Sequence, residues 1–78
     1  MTDAAIAAVL HALAAERTGR TFCPSEAARR LAPDEWRPLM DDVRRVAAAE
    51  GLRATQGGAV VDVRTARGPI RLSAVPRL

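Results

Sequence analysis

The sequence predicts an α+β fold in which three helices precede a small antiparallel β-sheet. Three observations lead there. Apolar residues recur at helical spacing from Ile6 to Leu13 and again from Trp36 to Ala47. A proline-led segment, Cys23-Pro24-Ser25-Glu26, opens a further helix between them. After Gly51, two short alternating stretches flank Gly57-Gly58, the pattern of a tight hairpin. A helix pair with a hairpin attached, all between Thr21 and Asp62, outlines a winged helix (winged helix-turn-helix).

In the first helix, about 3–16, Thr2 is the N-cap and Asp3 sits where the helix dipole favours an acid. Ile6, Val9, Leu10 and Leu13 form one inward stripe, His11 lies off it toward solvent, and Gly19 ends the helix. The second helix, about 24–32, places Pro24 at its first position, turns Ala27, Ala28 and Leu31 inward, and stops before Pro33. The third, about 35–50, is capped by Asp34 and lines one face with Trp36, Leu39, Met40, Val43, Val46 and Ala47. Pro38 is tolerated there only within the first turn. Trp36 and Phe22, the sole aromatics, are expected to anchor the core.

The hairpin spans about 52–63, with a type I′ turn at Gly57-Gly58. Its register sets Ala54 opposite Val61 and Leu52 opposite Val63 on an apolar face. The other face pairs Thr55 with Val60 and Arg53 with Asp62. A short strand at about 70–72 points Ile70 and Leu72 one way and Arg71 the other, and 73–78 is a loosely held tail.

The 78 residues are expected to form one domain and a complete protein, 1–78. At that length the stability expected is ~4–12 kcal/mol. No long apolar run suggests a leader or a membrane span, and one cysteine, Cys23, allows neither an internal disulfide nor a thiolate-rich zinc site. A cytoplasmic location is therefore expected. The net charge is +3, but all twelve basic residues are Arg and none is Lys, while Ala is abundant and Asn and Tyr are absent. GC-rich coding produces that pattern without selection for phosphate binding.

No motif carries chemistry. Cys23 at a helix start has no base, since His11 points away, and is expected to be buried and inert. Asp34-Glu35 and Asp41-Asp42 are adjacent in sequence and diverge on a helix. Gly57-Gly58 lacks the lysine and the strand-loop-helix setting of a phosphate loop. An enzyme, a metal site and a cofactor site are not expected, nor is a small-molecule substrate.

The leading expectation is binding of double-stranded DNA with weak sequence specificity through Arg37, Arg44, Arg45, Arg67 and Arg71. Against it stand Asp34, Glu35, Asp41 and Asp42 in the first half of the third helix, and a hairpin tip with no cation. The alternative is a protein-interaction or self-association module with no nucleic-acid role, using the alanines at 4, 7, 8, 12 and 15 for close helix approach.

Three stretches, Thr21-Phe22-Cys23-Pro24-Ser25-Glu26-Ala27-Ala28-Arg29, Trp36-Arg37 and Ala66-Arg67-Gly68-Pro69-Ile70-Arg71-Leu72, carry a resemblance. With them the chain resembles, over nearly its whole length, a small bacterial domain-of-unknown-function family of winged-helix type. The resemblance implies that fold in a small cytoplasmic protein, and implies no activity. This chain departs from the family pattern at Gly57-Gly58, where members carry a basic turn residue, and at Pro38, where they carry a small one.

Overall fold

In the computed structural model, which describes residues 1–75, the chain builds three helices and a three-stranded antiparallel sheet around one core. Helix α1 covers Asp3–Glu16, and Thr2 caps it by accepting the Ala5 N–H at 3.2 Å. Ile6, Leu10 and Leu13 are fully buried and Val9 half-buried. Helix α2 covers Pro24–Leu31, one residue shorter than expected, because Pro33 forces Ala32 into an extended conformation. Its first turn is closed by Glu26, whose side chain accepts the Cys23 N–H at 2.9 Å.

The third helix starts later than the sequence suggests. An α-helix begun at Asp34 would need a Pro38 N–H to continue its bonding, and proline has none. Residues 33–35 instead bend, Arg37–Leu39 form a 3₁₀ turn, and helix α3 runs Met40–Ala49. Asp34 therefore caps no α-helix. At the far end, Leu52 N–H reaches Ala47 O at 3.1 Å and Gly51 N–H reaches Ala48 O at 3.1 Å, a Schellman closure made possible by Gly51 at φ 71.

Strands β1 (Arg53–Gln56), β2 (Ala59–Val61) and β3 (Arg71–Ser73) lie in the order β2-β1-β3. Gly57 and Gly58 both have positive φ, as a type I′ turn requires. Ala54 pairs with Val61 and Thr55 with Val60, as expected. The two outer pairs differ. Asp62 turns its carboxylate onto the Arg64 N–H at 2.8 Å and opens a turn, so the β1–β2 pairing ends at Ala54 and Val61, while Arg53 pairs with Ser73 across the other edge of β1. Leu52 and Val63 both pack on the core without facing each other as strand partners.

Strand β3 lies one residue further along than expected but keeps the predicted alternation: Ile70 and Leu72 are buried and Arg71 is exposed. Of the tail at 73–78, Ser73 belongs to β3, and residues 76–78 lie outside the described residues. Phe22, between α1 and α2, forms an isolated bridge with Leu72 and is fully buried. Trp36 is only half-buried at the rim of the core. Among the described residues no helix is long and apolar enough to cross a membrane.

Because Phe22 fills the seam between helices and sheet, Phe22→Ala should cost ~3–5 kcal/mol, and Phe22→Leu much less. Urea unfolding monitored by circular dichroism measures both. Equal midpoints for Phe22→Ala and the parent protein would show that this seam does not hold the fold.

Candidate functional site

With no catalytic motif, the candidate site must be found among the arginines. A guanidinium stays charged and offers five N–H donors in a fixed plane, so its role follows from where those donors go. Three arginines are held by carboxylates. Arg17 grips Glu26 at 3.1 and 2.6 Å, Arg30 grips Glu16 at 2.8 and 3.1 Å, and Arg45 grips Asp3 at 2.8 Å through both nitrogens. Arg45 also reaches Asp42 at 3.2 Å. These contacts hold the carboxyls of Glu26, Glu16 and Asp3 below their ordinary range, each chiefly through the arginine hydrogen bonds. The same bonds raise the Arg45 guanidinium further.

Two arginines bind neutral groups. Arg44 donates to the backbone oxygens of Ala66 at 3.1 Å and Gly68 at 2.6 Å, fastening α3 to the loop that precedes β3. Arg71 donates to the Thr21 hydroxyl and the Thr21 carbonyl, both at 3.0 Å. Arg29 and Arg37 lie over the Trp36 ring, at 4.3 and 4.6 Å from its centre. Arg20, Arg53, Arg64 and Arg67 make no side-chain hydrogen bond or ion pair with the described residues.

The five arginines expected to meet DNA are thus unlike one another. Arg44 and Arg45 share a shallow cleft of about 450 Å³ with Arg64 and Asp41, between α3 and the loop from Val63 to Ala66. Arg67 follows directly in that loop, with its backbone oxygen accepting from the Gln56 side chain. Gln56 also donates to Pro69 O at 3.2 Å, which tucks the hairpin end under the same loop. Arg37 stands apart on the Trp36 stack, and Arg71 lies on the outer face of the sheet. On α3 the exposed Asp41 stands among these cations, and Asp42 is bonded to Arg45 at 3.2 Å.

Arg20 and Arg53 escaped the sequence reading. The hairpin register pairs Arg53 with Asp62, but the Asp-Val-Arg-Thr run, with an aspartate able to cap its own turn, is the signal against that pairing. His11 is exposed, as expected, and meets Glu50 at 2.7 Å. Cys23 is half-buried, and the Ser25 hydroxyl donates to its sulfur at 3.0 Å.

The fold and the arginine-lined cleft define a small α+β domain built around surface guanidiniums, with no metal-binding group of three or more His, Cys, Asp or Glu among the described residues. The chain belongs to the family described as a protein of unknown function, DUF3253, whose model matches residues 3–75. A comparison with curated proteins found no match.

The carboxylate pairs fix a pH dependence. Glu26 and Glu16 start from an ordinary value of 4.5 and Asp3 from 3.8, and all three are lower in the folded state. A depressed folded pKa stabilises above the unfolded value and loses that contribution as pH falls through the folded one. The urea midpoint should therefore drop from about pH 4.5 downward, and Glu26→Gln should flatten part of that drop. A Glu26→Gln profile parallel to the parent's would remove Glu26 from the account.

Proposed function

We propose that this protein is a winged-helix-like DNA-binding protein that holds double-stranded DNA by its phosphates, with little sequence preference and no catalysis. The observation that carries this reading is the cleft between α3 and the loop before β3, where Arg44, Arg45 and Arg64 converge and Arg67 follows. The α2–α3 pair with a hairpin behind it supports the same reading, as the arrangement in which a helix pair meets a duplex.

Within the cleft the arginines divide the work. Arg44 and Arg45 have donors fixed on protein atoms, so they contribute positive potential from rigid positions. Arg64 and Arg67 have free donors and are the groups able to hydrogen-bond phosphate oxygens. Outside the cleft Arg37 adds a third, since a guanidinium stacked on an indole keeps its in-plane N–H groups available. Asp41 and Asp42 on α3 repel base edges and phosphates alike, so that helix stays back from the groove floor. Phosphate contacts position a protein and base contacts specify a sequence, hence the low specificity.

Anisotropy titration of a random duplex from ~50 to ~200 mM salt tests this, and contacts from Arg37, Arg64 and Arg67 predict a log–log slope of about −2 to −3. Removing Arg64 and Arg67 together as Gln should flatten the slope by about 2. Asp41→Asn should tighten binding. Absence of binding at the lowest salt would overturn the proposal.

A second reading, self-association, is favoured by one observation: Ala4, Ala8, Ala12 and Ala15 of α1 are all exposed along one helical face. Light scattering decides it. A mass fixed at the 8.3 kDa of one chain over a hundredfold range of concentration would remove this reading.

A further inference from the structure

The outer face of the sheet carries charge that the fold does not use. Strand pairing sets Arg53 beside Ser73 and Thr55 beside Arg71, all on the side opposite the buried Ala54 and Leu72. The end of α1 and the link to α2 rise over part of this face. Between them lies an open cavity of about 650 Å³, within the size range of small-ligand sites.

Its lining has a definite polarity. Ala14 and Ala15 of α1 supply an apolar wall, Arg17, Arg20 and Arg53 supply guanidiniums, and Thr55 and Ser73 supply hydroxyls. No Asp or Glu is among the lining residues. Two carboxylates bond to lining side chains from outside the cavity, Glu26 to Arg17 at 2.6 Å and Glu50 to His11 at 2.7 Å. The C-terminal end of α1 brings partial negative charge to the rim, which Arg20 just beyond it offsets, Arg17 being paired with Glu26. Arg20 and Arg53 themselves have no partner among the described residues. Both line the cavity with their guanidinium donors free to meet an anion.

We propose that this cavity binds a small organic phosphate monoester. Arg20 and Arg53 hold the dianionic group through charge-assisted hydrogen bonds, with Thr55 and Ser73 as neutral donors, and the alanine wall takes the apolar body. The site shares no residue with the DNA cleft and stands or falls separately from it.

An amide-resolved NMR titration of the full chain with phenyl phosphate tests the proposal. Saturable shifts are expected at Gly19, Arg20, Arg53 and Ser73. Arg20→Gln and Arg53→Gln should each weaken binding about tenfold, the usual effect of losing a hydrogen bond to a charged group. Both side chains are exposed and make no internal bonds, so the variants should keep the dispersed spectrum of the parent. Arg64→Gln, at the other cleft, should leave the affinity unchanged. Inorganic phosphate, lacking the body, should bind more weakly than phenyl phosphate. Unsaturable shifts, equal loss in Arg64→Gln, or inorganic phosphate binding as tightly as phenyl phosphate would each overturn the assignment.

Discussion

Phe22 and Leu72 exchange two backbone hydrogen bonds, at 2.8 and 2.7 Å, and bury both side chains completely, although one lies between α1 and α2 and the other near the end of the sequence. A domain this small has one seam between helices and sheet, and this pair closes it. Fully burying a phenylalanine or leucine side chain is worth ~1.5–3 kcal/mol, whereas an exposed ion pair contributes ~0–1 kcal/mol. The seam therefore holds the layers together, while ion pairs such as Arg30–Glu16, between α2 and α1, act within the helical layer. The bridge also covers the outer edge of β3, which would otherwise present unpaired backbone to solvent. Arg71 reinforces the same link through Thr21. With the α1–α2 link anchored at this point, the end of α1 stands over the sheet and a cavity exists beneath it.

Much of this was legible in the sequence because the signals were local. Thr2, the stripe from Ile6 to Leu13, Pro24 and Gly51 each specify a helix end or face through the backbone of their own segment. Gly57-Gly58 fixed the hairpin, and with it the inner pairings of Ala54 and Thr55. The errors arose where two local options competed. An α-helix capped at Asp34 would make Pro38 the first residue required to donate, and without an N–H it sits instead in a 3₁₀ turn ahead of α3. Asp62 could face Arg53 across the hairpin or cap its own turn, and the nearby backbone N–H prevailed over a solvated charge on the next strand.

The candidate site was far less legible, for a different reason. Arg44 and Arg71 bond to carbonyls of Ala66, Gly68 and Thr21, and every residue has a carbonyl, so no residue type announces the acceptor. Arg45 finds Asp3 across most of the chain's length, a pairing that depends on how α1 and α3 cross. The size of Trp36 suggests a core anchor, yet two guanidiniums lie over its ring. The short segments that carry the family resemblance consist largely of structural residues: Phe22 and Pro24 are buried, Glu26 closes a helix, and Ile70 and Leu72 fill the core.

Net charge, finally, is a poor guide to where this molecule is positive. Arg17, Arg30 and Arg45 are neutralised in place, while Asp34, Glu35 and Asp41 have no partner among the described residues. Those acids belong to the α2–α3 corner and the start of α3, whereas Arg20, Arg53, Arg64 and Arg67 belong to the loops and the sheet. Screening at physiological salt acts over ~8 Å, so charges further apart than that on a surface largely cease to cancel. A chain with a net charge of +3 can thus present two separate basic concavities and an acidic corner at once. The pairing of individual arginines, rather than their number, sets which concavity is open to an anion. Asp41 lines the α3 cleft beside its cations, whereas no Asp or Glu lines the sheet cavity, where Arg20 and Arg53 are unpaired among the described residues. The cavity beside β1 is accordingly the better-prepared site for a compact anion, and the α3 cleft is suited only to a ligand long enough to reach past Asp41 to Arg64 and Arg67.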